Sequence, residues 1–158
     1  ETPERYALSF QSYSQLLNFI VENEKIELNI DVKDLQNPII HGSPLNAKLD
    51  SYKNASRTLF KEIEALYPYF QKARLENDAN KLKEIGSQMR AIEKRFTDFT
   101  YEFISENQDS YLSGMLLRDR LNTKPIDSNR IREAYLLLPE KVRNSPDGQL
   151  IAIELNLH

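Results

Sequence analysis

Over the first 42 residues apolar side chains recur with a period of two, and from Ser43 onward the spacing changes to three and four. Tyr6, Leu8 and Phe10 alternate with polar or small residues, which predicts a strand over 5–10 with one apolar face inward and one face wet. Residues 16–21 are almost continuously apolar, the pattern of a strand covered on both faces. Glu22, Asn23, Glu24 and Lys25 then supply polar turn residues, and Ile26, Leu28 and Ile30 alternate inward. Two such runs joined by about four polar residues predict a hairpin between 16–21 and 25–30. Pro38, Ile39, Ile40 and His41 form a short fourth candidate, ended by Gly42.

Ser43-Pro44 reads as an N-cap followed by proline at the first helical position, where its missing N–H costs nothing. Leu45, Leu49, Tyr52, Leu59, Ile63, Leu66, Phe70 and Ala73 then mark one face of a long helix, with Ala55 or Ser56 filling the gap. Pro68 lies inside this pattern, where proline removes a hydrogen bond at a cost of ~3 kcal/mol, so a kink is expected near Ala65. The stripe stays in phase through Phe70, which favours one helix over two. A polar connector over 76–80 offers Asp78 as the next N-cap. Leu82, Ile85, Met89, Ile92, Phe96, Phe99 and Phe103 continue as a heptad seam, and the short connector makes the two helices antiparallel. Gly86 lies beside that seam, where it weakens the helix and permits close approach. Phe60, Tyr67 and Tyr101 widen the apolar face, so the hairpin is expected to pack on a third body, the sheet being the obvious candidate. Shorter helices are expected over 110–121 and 128–138 and after Pro146, with Ser128 and Ser145 as starts.

The fold class is therefore α+β: a small antiparallel sheet, then a long antiparallel helical hairpin and shorter packing helices. The sheet portion, expected to be incomplete, occupies 1–42 and the helical part 43–158.

Composition narrows the chemistry. The chain has 158 residues, 40% hydrophobic and 28% charged, and no cysteine, which removes disulfides, thiolate nucleophiles and Cys-ligated metals. Seven acids against three bases give 1–42 a net charge of −4, and 17 acids against 18 bases give the rest +1. The densest basic stretch, 118–132, is interrupted by Asp119 and Asp127, so no nucleic-acid partner is expected. No apolar run approaches the ~20 residues that span a bilayer. The chain does not begin with Met and is expected to be a piece of something longer.

Each candidate reactive group has a plainer role. His41 ends a strand, His158 ends the chain, and a metal site needs three or four ligands of suitable type. Asp98, Glu102 and Glu106 stand four apart on a helix but off the seam, as a solvated face. Ser43 is a cap, and Ser113 lacks a nucleophile-elbow frame. Four glycines, at 42, 86, 114 and 148, cannot build a phosphate loop. Phe96, Phe99, Tyr101 and Phe103 read as helical core rather than a stacking platform. No cofactor, metal or catalytic constellation is expected.

Four segments carry a resemblance: Phe19 to Ile30, Ile40 to Asn46, Phe103-Ile-Ser-Glu-Asn107, and Asn144-Ser-Pro-Asp-Gly148. In order and spacing they resemble the N-terminal domain of unknown function that precedes a thioredoxin-like domain in envelope thiol–disulfide oxidoreductases of Gram-negative bacteria (thioredoxin/alkyl hydroperoxide reductase–thiol-specific antioxidant family). The family shows an "ENgkI" strand pair, a "Gs-x-lN" lead-in to a long helix, "F-I-x-x-N" at the end of the hairpin, and an "NSP-x-G" turn. Family members begin with additional strands and continue into a Cys-x-x-Cys domain. Neither is present here, so the redox cysteines map onto no residue of this chain. The resemblance implies a non-catalytic accessory domain in the periplasm or cell envelope, partnered by the thioredoxin-like domain of its parent protein or by a client protein. A sheet lacking its first strands leaves an edge, and a homodimer through that edge is expected. The alternative is a stand-alone helical binding or scaffold module whose contact surface is Phe60, Tyr67 and Tyr101.

Overall fold

The computed structural model describes residues 2–35 and 37–157. They form two compact units, one of residues up to Asp50 together with those from Ile104 onward, the other of Ser51–Phe103.

In the first unit β1 (Glu4–Ser9) pairs antiparallel with β2 (Leu16–Val21), placing Arg5 opposite Ile20 and Leu8 opposite Leu17. A second two-stranded sheet joins β3 (Glu27–Asn29) to β4 (Ile39–His41), with Leu28 opposite Ile40. The hairpin expected between 16–21 and 25–30 is thus replaced by two others, for two physical reasons. Glu22 is engaged elsewhere: its carboxylate accepts from the Ser43 hydroxyl and, at 3.0 Å, from the Leu45 N–H, tying the end of β2 to the start of the first helix. Gly42, at φ +77°, lies so close to residue 25 that a Cβ would sit 2.1 Å from the Lys25 carbonyl oxygen, which brings 39–41 beside 27–29. The half-buried face expected of β1 is also absent, since every residue of the strand is exposed. Arg5 of β1 reaches the helical layer, on the face opposite Tyr6 and Leu8.

The helices of this unit centre on α3 (Tyr111–Arg120), which packs against α4 (Ser128–Leu137), α5 (Glu140–Arg143) and α6 (Pro146–Glu154). Leu112, Ser113, Gly114, Met115, Leu116 and Leu117 of α3 are all buried. A helix covered on every side has no polar face, which is why no clear period showed in its sequence. Ser110 caps α3 and Ser145 caps α6, while α4 is capped by Asp127 rather than Ser128, through the Arg130 N–H at 3.0 Å.

The long helices run over Pro44–Leu75 (α1) and Ala79–Glu106 (α2). The Asn46 N–H meets the Ser43 hydroxyl oxygen at 3.1 Å, the cap expected from Ser43-Pro44. Helix α1 continues through Pro68, and Glu64 and Pro68 are both exposed, so the carbonyl deprived of its partner faces the solvent side. Within the second unit Tyr52 stacks on Phe99 at 5.5 Å and meets Phe103 edge-on at 5.1 Å, while Phe60 lies 4.9 Å from Phe96. These pairings run in opposite senses along the two helices and define an antiparallel hairpin. Tyr52, Ala73, Ile85 and Ile92 are buried along its seam. The connector closes at Asn77, φ 52°, with the Asp78 N–H on the Ala73 carbonyl at 2.9 Å, a Schellman termination. Asp78 then caps α2 through the Lys81 N–H at 3.0 Å.

Candidate interaction surface

The residues behind the family resemblance are turns and caps. Asn46 donates to the Ile20 carbonyl at 2.7 Å and accepts the Ile20 N–H at 2.9 Å, acting as a one-residue extension of the sheet. Asn107 accepts from Lys48 Nζ at 3.0 Å, and its carbonyl accepts the Ser113 hydroxyl at 2.7 Å where α2 turns into α3. In the Asn144 to Gly148 turn, Ser145 accepts from the Gly148 N–H at 3.2 Å, and a Cβ at 148 would sit 2.4 Å from the carbonyl oxygens of Val142 and Arg143.

Asp147 of that turn belongs to an ion-pair cluster on β1. Arg5 donates to both oxygens of Asp119, at 2.7 and 2.8 Å, and to Asp147 at 3.0 Å; Arg118 donates to the same Asp147 oxygen at 3.1 Å. Burial by itself would lower the Arg5 guanidinium, but hydrogen bonds and charge from Asp119 and Asp147 outweigh it and hold the group above its ordinary value. Two cations and two anions balance, and the cluster fastens β1 to α3 and α6. The acids that interrupt the basic stretch 118–132 are thereby explained: Asp119 pairs with Arg5, and Asp127 caps α4.

Of the residues expected to form a contact surface, Phe60 and Tyr67 lie on α1, 49% and 54% exposed. Seven residues apart, they share one stripe of the helix. Both are thus about half open to solvent. Tyr101 is half-buried on α2. His41 is exposed at the end of β4 opposite Glu27, and His158 lies outside the described residues. Asp98 pairs with Lys94 at 2.6 Å, and Glu102 and Glu106 are exposed. An open cavity of about 530 Å³ is bordered by Glu4, Tyr6, Val21, Glu22 and Pro146, and Glu22 there is already committed to capping α1.

A second surface escaped the sequence pattern. Helix α4 buries Ile131 and Tyr135 yet exposes Leu136 and Leu137, and α6 buries Ile151 yet exposes Leu150 and Ile153. Leu136 is 58% exposed and Ile153 69%. Arg132 donates to the Leu155 carbonyl at 3.2 Å, tying α4 to the end of α6, and Leu136 stands one turn beyond Arg132 on the same side of α4. A run such as Leu150 to Ile153 reads in sequence as wholly buried; only the fold shows which side is covered.

No family model matches this sequence, and neither a curated protein nor a solved structure matches it. Among the described residues, no helix is long and apolar enough to cross a membrane.

Proposed function

We propose that this chain is a non-catalytic interaction domain, the accessory module of an envelope thioredoxin-like thiol–disulfide oxidoreductase in the periplasm or cell envelope. The resemblance in the four segments motivates the family, and their role as caps and turns makes them determinants of shape. The observation that carries the interaction role is the set of large apolar side chains that α4 and α6 leave exposed, Leu136, Leu137, Leu150 and Ile153. Large apolar side chains left open to water mark protein contacts, so these four offer a surface for another protein body. That body is the thioredoxin-like domain of the parent protein or a client.

The test is a titration of the isotopically labelled chain with the Cys-x-x-Cys domain of its own reading frame. Leu136, Leu137, Leu150 and Ile153 methyl signals are expected to shift, and Leu136→Lys with Ile153→Lys to weaken binding at least tenfold. No such domain in the reading frame, or no shift at these methyls, would refute the proposal.

A second reading, a stand-alone helical binding or scaffold module, is favoured by the exposed stripe at Phe60 and Tyr67. There Tyr67→Ala abolishes partner capture and leaves the melting temperature unchanged.

A further inference from the structure

We infer that β1 is the contact strand of a two-fold homodimer, paired antiparallel to β1 of a second copy with Ala7 on the axis. The two edges of the β1–β2 ribbon are not equivalent. At Ile20 both backbone polar groups of β2 point away from β1, because Asn46 holds them. Arg5 opposite Ile20 is therefore in a non-hydrogen-bonded pair, and by the alternation of an antiparallel ladder so are Ala7 opposite Asn18 and Ser9 opposite Leu16. The N–H and C=O groups of Arg5, Ala7 and Ser9 consequently face outward. The β2 edge is closed by a side chain; the β1 edge carries three residues ready to pair.

Proteins usually protect such an edge with proline, lysine, a bulge or an inward charge. Residues 4–9, Glu-Arg-Tyr-Ala-Leu-Ser, contain neither proline nor lysine, and their pairing with β2 runs without a bulge. The one cation of the strand, Arg5, is turned away and neutralised by Asp119 and Asp147.

Charge and shape select a second copy as the occupant. With Ala7 opposite Ala7 of the second copy, Arg5 faces Ser9 and Glu4 faces Phe10, so no charge meets its like. Tyr6 falls beside Leu8 in both directions, and both are exposed in the single chain. The ribbon becomes a four-stranded sheet whose exposed apolar residues meet each other, as an isologous interface requires. An in-register parallel pairing would set Arg5 beside Arg5. This inference stands apart from the docking surface on α4 and α6, and its test does not involve that surface.

The chain has no cysteine, so one introduced thiol reports one contact. Paired across a hydrogen-bonded site, the two Ala7 Cα atoms stand about 5.5 Å apart, within the range a disulfide spans. Ala7→Cys is expected to oxidise to a covalent dimer at least tenfold faster than Ser87→Cys, an exposed position on α2. Sedimentation of the unmodified chain is expected to show a concentration-dependent dimer, and Ala7→Pro to return it to monomer. Equal oxidation rates for Ala7→Cys and Ser87→Cys, or a unmodified chain that stays monomeric at the highest concentrations, would overturn the inference.

Discussion

Asn46 holds both backbone polar groups of Ile20, accepting the N–H at 2.9 Å and donating to the carbonyl at 2.7 Å. One amide thereby closes the outer edge of β2 and fixes the first turn of α1 against the sheet. Both residues are almost completely buried. Asn46→Ala leaves two buried groups without partners, each costing about 1–3 kcal/mol. The expected loss is about 2–4 kcal/mol in urea unfolding; a loss below about 1 kcal/mol would show that water replaces the amide.

The Arg5 cluster predicts an order among its acids. Asp147 is 10% exposed and receives both Arg5 and Arg118, whereas Asp119 is 50% exposed and receives Arg5 alone. Asp147→Asn is expected to cost about 1–3 kcal/mol and Asp119→Asn under about 1 kcal/mol, because solvent screens the outer pair. Arg5 is held above its ordinary value, so its stabilising effect is present at all pH below that of the free side chain and is lost only as pH rises through the folded value. Its contribution is therefore constant across the neutral range, which unfolding of Arg5→Met against the unmodified chain at several pH values checks.

Two glycines separate packing from propensity. At Gly148 a Cβ would sit 2.4 Å from two backbone carbonyl oxygens, while at Gly86 it would meet only the end of the Arg90 side chain at 3.4 Å. The close approach expected at Gly86 is absent, and Gly86→Ala is expected to stabilise by up to about 1 kcal/mol. Gly148→Ala is expected to destabilise by about 2 kcal/mol or more, as forced overpacking does. Thermal melts of the two variants should move in opposite directions.

What the sequence made legible was whatever depends on neighbours along the chain. The period change at Ser43, the seam from Leu82 to Phe103 and the caps at Ser43, Asp78 and Ser145 all follow from local spacing, and they recur in the structure. Strand pairing did not, because it was decided by Glu22 and Gly42 acting on residues about 20 positions away. The Arg5 cluster joins residues 114 and 142 positions apart and leaves no local trace. For the contact surface, Phe60 and Tyr67 could be picked from the stripe of α1, while Leu136, Leu137, Leu150 and Ile153 could not be separated from core until α3 showed which sides of α4 and α6 it covers.

The most direct test of an interaction role is amide hydrogen exchange over α4 and α6, in this chain alone and in the longer thioredoxin-like parent protein that the proposal assigns to it. The proposed docking predicts slower exchange in the parent around Leu136, Leu137, Leu150 and Ile153, with little change elsewhere on α3. Identical exchange in the two settings would contradict it.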